Sequence, residues 1–559
     1  MRTRRLVIVG GVAAGPKAAA RARRYDPRAE ITILEQGEFI SFAGCGLPYF
    51  IAGQIAEARE LMCTPVGVVR DETFFRNVKD IRVLTRTRAV AIDRAAKTVT
   101  ARRLDSGQEM VLPYDKLVLA TGSRPVRLDL PGMDLPGVYT LRGIPDALAI
   151  REALAGVTDV AVIGAGLIGL EVVDALLAVR QTRELNITLV EKLAHPLPAL
   201  LDPEMGALVA KFLRAAGVNF LPAREVRRLE GQGRVERVVT DQEEIPAQLV
   251  VVGVGVRPET ELARAAGLAL GPTGAIAVNE YLQTSDPDIY AGGDCVENVH
   301  LVSGQKVYLP LGSTANRHGR VIGDNIAGGR DLFPGVVGTA ILRLGNLNVG
   351  RTGLTVEEAR RAGFDPVPVL CAGPDRAHYH PESRPLVIKL VADRATRRLL
   401  GAQVLGPGAA DKRVDVAATA LTAGFTVDRL ATVDLVYAPP YATALDILTH
   451  AANTLRNKLD GRARGVSPRE VRARLARGED FVLLDVRTPK ELEEARLDLP
   501  NVTWIPLGQL RSRAGELPRD KKVITFCKVS LRGYEAQLIL DAEGFADVGF
   551  MEGGLAAWV

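Results

Sequence analysis

A single cysteine, Cys45, lies between two glycines in the segment SFAGCGLPYF at residues 41–50. As a thiolate, such a residue can attack a disulfide or persulfide sulfur. The residue five positions further along is Phe50, so an internal redox pair with the spacing CxxxxC is excluded. Cys45 would therefore need an external sulfur partner or a sulfenic acid state to take part in redox chemistry.

A second cysteine, Cys527, opens the segment CKVSLR and follows the apolar run VITF. The six residues from Cys527 to Arg532 can curl so that backbone N–H groups converge on the sulfur and stabilise a thiolate or a persulfide. Arg532 could neutralise or order this loop. Because a phosphatase loop would be longer, the segment predicts sulfur transfer, with an inactive docking domain as the alternative.

The chain has five cysteines, and they are widely spaced without any CxxC pair. This pattern argues against a disulfide framework and against a structural zinc site. We expect free thiols in a reducing compartment and no bound metal.

Residues 5–35 form a strand–turn–helix–strand pattern with small residues at the turn, where a pyrophosphate can meet the helix N-terminus. Glu35 ends the second strand and is placed to accept from a ribose hydroxyl. The middle glycine of the GxGxxG template is replaced by Val12. The candidate cofactor contacts in this unit are Gly10, Val12, Ala14, Gly15 and Glu35.

A complete GxGxxG motif follows at Gly164, Gly166 and Gly169, again after an apolar strand. The next strand ends in Glu191, which would bind the ribose diol of NADH and repel the 2′-phosphate of NADPH. Because the positively charged Lys192 lies next to Glu191 in the sequence, NADPH stays an alternative to NADH as the cofactor. Two such units in one chain are much more specific than either alone.

Two further segments fit a flavin site. A strand closes in the small-residue turn Ala120, Thr121 and Gly122. The segment YAGGD, which ends in Asp294, resembles the second flavin-contact motif of flavoproteins with two dinucleotide domains. In those proteins the aspartate binds the ribityl or pyrophosphate part of FAD.

The bulk composition limits the class of protein. A chain of 559 residues needs three or four domains. A net charge of +5 is small for this length and does not suggest nucleic-acid binding. No apolar run approaches the length of a membrane span, so we expect a cytoplasmic protein that does not bind membranes.

With these motifs in place, residues 1–458 resemble the pyridine nucleotide–disulfide oxidoreductases. The segment around Cys45 is similar to the single-cysteine branch, which contains coenzyme A-disulfide reductases, NADH oxidases and persulfide or polysulfide reductases. Residues 467–559 look like a rhodanese domain, on the segments LLDVRTP, CKVSLRGY and EGGLAAW.

The resemblance implies an α/β fold with two dinucleotide-binding, Rossmann-like domains, an α+β dimerisation domain and a C-terminal α/β rhodanese domain. The expected bounds are 1–118 with 247–330 for FAD, 119–246 for NAD(P)H, 331–456 for dimerisation, 457–466 for a linker and 467–559 for rhodanese.

The resemblance also implies the reaction. NADH would reduce FAD, which would then reduce Cys45 held as a mixed disulfide. A nearby helix N-terminus would lower the thiol pKa. We expect a reductase of coenzyme A disulfide, coenzyme A persulfide or polysulfide, to which Cys527 delivers sulfane sulfur. The alternatives are an NADH oxidase or peroxidase that cycles a sulfenic acid, and a redox-sensing flavoprotein.

Other residues take expected roles from the same resemblance. Arg21, Arg24 and Ser41 would bind coenzyme A, as substrate or as a bound thiol. Tyr379 and Tyr437 would reach the active sulfur from the partner subunit of a homodimer. Gly44 stands where this branch usually has asparagine.

Overall fold

The computed structural model describes residues 3–497, 499 and 501–559. The chain divides into two compact units, one of Met1–Lys192 with Val218–Val336 and one of Leu193–Gly217 with Val337–Val559.

The first unit contains a parallel sheet whose buried strands are rich in Val, Ile and Leu, as expected for strands covered on both faces. In spatial order its strands are Ile289–Ala291, Lys116–Leu119, Arg5–Val9, Glu30–Leu34 and Arg82–Leu84. Helices Ala14–Tyr25 and Gly312–Ile326 pack against one another beside this sheet.

A second parallel sheet of the same unit has the order Asn219–Leu221, Asn186–Val190, Asp159–Ile163, Leu249–Val252 and Val138–Tyr139. The strand Leu249–Val252 pairs with Val160–Ile163 in register. The expected return to the FAD domain at residue 247 is therefore too early, because this buried apolar strand completes the second sheet first.

Smaller elements complete the first unit. Its short antiparallel strands are Thr87–Asp93, Thr98–Arg103, Glu109–Pro113, Ser123–Pro125, Val226–Glu230, Arg237–Thr240, Glu244–Pro246, Val256–Pro258, Asn298–Val299 and Lys306–Val307. Its remaining helices are Gly44–Gly46, Leu47–Ile51, Ala58–Met62, Glu72–Lys79, Ile144–Leu154, Leu167–Val179 and Glu261–Ala265.

The second unit begins with an antiparallel sheet of order Ala340–Leu344, Leu347–Gly353, Leu399–Gly406, Pro385–Asp393 and Pro366–Pro374. Its accompanying helices are Pro203–Ala215, Val356–Arg361, Ala410–Thr422, Val427–Leu430 and Ile447–Leu459.

The second unit ends in a parallel sheet of order Gly465–Val466, Val548–Met551, Lys522–Phe526, Phe481–Asp485 and Val502–Trp504. Its helices are Pro468–Ala476, Pro489–Glu494, Leu507–Arg513, Ala514–Glu516, Leu531–Ala542 and Gly554–Ala557. The expected linker 457–466 is shorter, because a helix runs to Leu459 and a strand begins at Gly465. The mixed α/β class is confirmed, while the remaining domain bounds stay predictions.

Within the described residues, no helix has both the length and the hydrophobicity needed to cross a lipid bilayer.

Candidate active sites

The glycine turn of the first sheet has the close backbone approach that a dinucleotide fold requires. Gly10 has φ of 111°, and a Cβ on it would lie 2.0 Å from the carbonyl oxygen of Ala120. A Cβ on Gly15 would lie 1.9 Å from the carbonyl oxygen of Gly10. Only glycine fits at these two positions. The structure thus brings together the predicted turns at residues 10–15 and 120–122.

The residues around this turn fit the adenine-side half of FAD. The Glu35 carboxylate is buried and accepts from the backbone N–H of Gly11 at 2.6 Å and of Gly37 at 2.7 Å. The helix Ala14–Tyr25 starts without a side-chain cap and without an acidic residue in its first turn. Such a helix N-terminus suits a pyrophosphate.

Asp294 lies beside the same turn. Its carboxylate accepts from Ser123 Oγ at 3.1 Å, and burial raises its pKa. A Cβ on the preceding Gly293 would lie 3.3 Å from the Cβ of Ala14, at the start of the helix. The three predicted flavin segments therefore converge on one helix N-terminus.

The second dinucleotide fold repeats this construction around its complete glycine motif. Gly164 has φ of 98°, and a Cβ on Gly169 would lie 1.9 Å from the Gly164 carbonyl oxygen. The buried Glu191 accepts from the backbone N–H of Ala165 at 2.8 Å. Helix Leu167–Val179 likewise begins without a side-chain cap or an early acid. These features fit a pyridine nucleotide.

Lys192 has a partner in the same unit. Its ammonium group donates to Glu225 at 2.7 Å. Lys192 is therefore engaged by a carboxylate other than Glu191.

Cys45 lies in the short turn Gly44–Gly46, directly before helix Leu47–Ile51. A Cβ on Gly312, the first residue of helix Gly312–Ile326, would lie 3.6 Å from the Cys45 sulfur. That helix also has no side-chain cap and no acid in its first turn. The sulfur is therefore beside an uncapped helix N-terminus.

The protein groups around Cys45 nevertheless oppose the thiolate, contrary to the expected lowering of its pKa. Although the residue is exposed, partial burial of its thiol raises the pKa, and the carboxylates of Glu171 and Asp294 raise it further. Sequence reasoning missed Glu171, which lies two residues after the glycine motif. Burial and the nearby Asp174 raise the pKa of Glu171 to about 7.

Removing the Glu171 charge should make Cys45 more reactive. We expect Glu171→Gln to increase the rate of Cys45 alkylation by about threefold to tenfold at pH 8, because one opposing charge is gone. The gain should shrink as the pH falls below 7, where Glu171 of the parent protein becomes neutral. Peptide mass spectrometry of the iodoacetamide-treated holoenzyme measures each cysteine separately.

Glu184→Gln, at an exposed position of the same fold, is the matched control and should leave the rate unchanged. An equal rate in the Glu171→Gln and parent proteins at pH 8 would show that Glu171 does not act on Cys45.

The three residues expected to bind coenzyme A have different surroundings in the structure. Arg21 is engaged by Asp324 through two hydrogen bonds, which join the helices Ala14–Tyr25 and Gly312–Ile326. Arg24 is exposed on the same helix. Ser41 has φ of 50°, and its N–H donates to the Gly11 carbonyl at 2.8 Å. The roles of Arg21, Arg24 and Ser41 in binding coenzyme A remain predictions.

The second cysteine, Cys527, is buried at the carboxyl end of strand Lys522–Phe526. Its loop, residues 527–532, leads into helix Leu531–Ala542. Ser530 has φ of 94°, a conformation that favours glycine, and its Oγ accepts from the N–H of Gly553 at 2.6 Å. The serine side chain thus holds the loop, while the convergence of backbone N–H groups on the Cys527 sulfur stays a prediction.

Arg532 fixes this loop through a residue that the sequence analysis did not single out. Its two terminal nitrogens donate to the two Glu491 oxygens at 2.6 Å each, and it also interacts with Cys527. Glu491 additionally accepts from Thr488 at the start of helix Pro489–Glu494. The sequence did contain a signal for the position of Glu491, because Thr488 and Glu491 have the T-x-x-E spacing that is typical of a capping box.

We expect Glu491→Gln to destabilise the domain around Cys527 by about 1–2 kcal/mol at pH 7. Hydrogen bonds from Arg532 lower the pKa of Glu491 from 4.5 to about 2. This stabilisation is complete above pH 4.5 and disappears as the pH falls towards 2. The difference in unfolding free energy between parent and variant should shrink over that range.

Tryptophan fluorescence measures this domain selectively, because the two tryptophans of the chain, Trp504 and Trp558, both lie in it. A difference that stays constant from pH 7 to pH 3 would contradict the role of the Glu491 charge.

Tyr379 and Tyr437 are neighbours in the second unit. Reduced contact with water and the hydrogen-bonding neighbour Tyr437 raise the pKa of Tyr379. Both side chains are more than half exposed, at 66% and 52%. They belong to an exposed apolar patch, which also includes Val436, Tyr441 and Leu445.

No group of three or more His, Cys, Asp or Glu side chains within the described ranges could hold a metal ion. Cys295 and Cys371 are buried, and burial raises the pKa of both thiols.

Two dinucleotide-binding folds that share one unit with the exposed Cys45 define an oxidoreductase that works with two nucleotide cofactors. The chain belongs to the pyridine nucleotide-disulphide oxidoreductase family, whose model matches residues 4–319. The family's dimerisation-domain model matches residues 340–448, and a rhodanese-like domain model matches residues 467–559. The protein is thus an enzyme of a family that uses FAD and NAD(P)H.

Relatives with similar domains are known. The NAD(P)H sulfur oxidoreductase (CoA-dependent) of Pyrococcus furiosus is 38% identical over 458 residues, which cover 82% of this chain and 100% of that protein.

Two solved structures match almost the whole chain. The NAD-dependent persulfide reductase from A. fulgidus is 44% identical with a TM-score of 0.95, covering 99% of this chain and 100% of that one. The reduced CoADR-RHD of Bacillus anthracis is 34% identical with a TM-score of 0.91, covering 100% of this chain and 98% of that one.

Proposed function

We propose that this enzyme uses NAD(P)H, with NADH preferred, to reduce coenzyme A disulfide, coenzyme A persulfide or polysulfide through Cys45. One observation carries the proposal: the Cys45 sulfur lies beside the N-terminus of helix Gly312–Ile326, where the charges of Asp294 from the first dinucleotide fold and Glu171 from the second both act on it. This position supports transfer of the electrons of NAD(P)H, by way of FAD, to a sulfur bound at Cys45.

The reaction needs a single protein thiol and an external sulfur. The Cys45 thiolate attacks R–S–S–R′, forms a mixed disulfide with one half and releases the other half as a thiolate. Two electrons from NAD(P)H then cleave the mixed disulfide. Overall, NAD(P)H, one proton and R–S–S–R′ give NAD(P)⁺ and two thiols, and a persulfide gives one thiol and hydrogen sulfide.

Two separate groups of residues would bind the two cofactors. FAD would supply hydride acceptance and electron transfer to sulfur when bound. The turns at residues 10–15 and 120–122, with Glu35 and Asp294, would hold it. Residues 164–169 and Glu191 would hold the pyridine nucleotide. Gly312 brings a helix N-terminus to Cys45, which favours negative charge at this place.

Cys527 would accept sulfane sulfur and pass it, on coenzyme A or directly, towards reduction. Its buried sulfur at a strand end and the Glu491–Arg532 pair that orders its loop support this role.

The exposed apolar patch around Tyr379 and Tyr437 supports a homodimer. Exposed apolar side chains in one place are typical of a contact surface. In such a dimer the phenols would approach the partner's active sulfur, where a hydroxyl can donate to a leaving thiolate.

Anaerobic turnover of NADH with coenzyme A disulfide, coenzyme A persulfide and polysulfide, compared with turnover on oxygen, tests the proposal. Turnover should be faster with at least one sulfur acceptor than with oxygen. Cys527→Ser should lower turnover only where sulfane sulfur must be delivered. Rapid oxygen-driven turnover that Cys527→Ser leaves unchanged would instead identify an oxidase. Single-turnover reduction without steady-state turnover on any acceptor would identify a redox sensor.

A further inference from the structure

Segment 552–558 connects the rhodanese-like domain to the dimerisation domain within the second unit. Its first residue, Glu552, is only 3% exposed. One Glu552 oxygen lies 2.5 Å from Lys458 Nζ, and the other accepts from the backbone N–H of Leu370 at 3.0 Å. Lys211 Nζ donates to the carbonyl of Trp558 at 2.8 Å. The domain is therefore docked at both ends of this segment.

The same segment also holds the backbone of the sulfur-binding loop, residues 527–532. The N–H groups of Leu555 and Ala556 donate to the carbonyls of Cys527 and Lys528, each at 3.0 Å. A Cβ on Gly554 would lie 2.3 Å from the Cys527 carbonyl oxygen, so the two backbones are in direct contact.

The strained residue of the loop is held by the residue next to Glu552. Gly553 donates its N–H to Ser530 Oγ at 2.6 Å. Ser530 has φ of 94°, and a non-glycine residue keeps such a conformation only where its surroundings enforce it. Consecutive residues thus make the docking contact and the contact that holds the loop.

We propose that Glu552 is a positioning residue for Cys527, so that docking on the dimerisation domain sets the geometry of the sulfur-binding loop. This inference rests on the proposed function, in which Cys527 carries sulfane sulfur. The ion pair with Lys458 fixes Glu552, which fixes Gly553 and, through Ser530, the loop. A domain tethered only by its linker would not have this connection.

The test uses sulfur transfer from thiosulfate to cyanide by the full-length holoenzyme. In the first step the Cys527 thiolate takes the outer sulfur of thiosulfate, forming a persulfide and releasing sulfite. In the second step cyanide takes that sulfur as thiocyanate and frees the thiolate. Neither step consumes NAD(P)H, so the assay does not depend on Cys45.

We expect Glu552→Ala to lower kcat at least tenfold while the KM for thiosulfate changes less than threefold. Glu552→Gln, which keeps an acceptor for Leu370, should be intermediate. Lys458→Met removes the same ion pair from outside the rhodanese-like domain and should also lower kcat. The double variant Glu552→Ala with Ser530→Ala should be no slower than the slower of the two single variants. Both substitutions act through the same series of contacts, from Glu552 through Gly553 and Ser530 to the loop.

Asp547→Ala breaks an exposed ion pair with Lys522 at the opposite end of the strands and should leave kcat within twofold of the parent value. The inference is overturned if Glu552→Ala or Lys458→Met matches this control. It is also overturned if the effects at positions 552 and 530 multiply, or if the loss of kcat equals the fraction unfolded by tryptophan fluorescence. A parent protein without thiosulfate turnover would contradict the proposed sulfur transfer itself, and this inference with it.

Discussion

Cys45→Ser should lower sulfur-dependent NADH oxidation at least about a thousandfold, because serine cannot form the mixed disulfide. The position five residues later is Phe50, and no second cysteine at that spacing can take over. Reduction of the bound flavin by NADH should survive, since that step does not need the thiol. Stopped-flow absorbance and steady-state oxidation of NADH measure the two steps separately.

Cys63→Ser is the matched control, because Cys63 is the other cysteine of the first unit with an accessible side chain. Its thiol donates to the Arg59 carbonyl at 3.3 Å and has no part in the proposed reaction, so we expect full activity. A Cys45→Ser protein that still oxidises NADH with coenzyme A disulfide or polysulfide at more than a few per cent of the parent rate would contradict the mechanism.

Arg413→Met should destabilise the dimerisation domain by about 3–5 kcal/mol, because it leaves a buried carboxylate without its partner. The guanidinium is 1% exposed and binds both oxygens of Asp446, at 3.2 and 2.6 Å. It also donates to the backbone carbonyls of Asp375 and Ala409. Asp375 and Asp446 flank the loops that carry Tyr379 and Tyr437.

Urea unfolding measured by far-UV circular dichroism, with hydrogen exchange to locate the change, tests this prediction. Arg394→Met, which breaks an exposed pair with Asp365 in the same domain, should cost about 1 kcal/mol or less. Adding Asp446→Leu to Arg413→Met should recover part of the loss. A loss for Arg413→Met as small as for the exposed pair would show that the buried pair is not needed.

Local sequence patterns were sufficient to predict the strand, turn and helix that begin each of the two dinucleotide folds. The motif at residues 164–169 predicts a strand, a tight turn and a helix, and the structure has all three. The weaker motif at residues 10–15 also predicts such a turn, and the structure has one. Glycine is required at positions 10 and 15 because a Cβ at either would overlap with the backbone. The Cys45 segment was informative for the same reason, since its residues are contiguous.

Contacts between distant segments could not be predicted. The pair Arg21–Asp324 joins residues 303 positions apart, and nothing in the spacing of Arg21 and Arg24 indicates it. The effect of Glu171 on Cys45 likewise depends on how helix Leu47–Ile51 packs against helix Leu167–Val179. The sequence therefore suggested a lowered thiol pKa where the folded protein raises it.

The region between the dimerisation and rhodanese-like domains is a second place where contacts between distant segments could not be predicted. Residues 457–466 are polar and contain glycine, which is typical of a linker. The contacts that dock the following domain join Lys458 of this segment to Glu552, and Lys211 to Trp558, and in both pairs the partners are far apart in the sequence. The polar composition of residues 457–466 therefore predicted a connection between the two domains, but it could not predict that the domains dock on one another.

The central step of the proposed mechanism is the exchange of sulfur between Cys45 and a small thiol compound, reversed by electrons from NADH. Intact-protein mass spectrometry after anaerobic incubation with coenzyme A disulfide, before and after one equivalent of NADH, measures this directly. We predict an added coenzyme A mass, located on the Cys45 peptide, that disappears with NADH and releases one thiol. An adduct that is absent from Cys45, or that persists after NADH is consumed, would contradict the account.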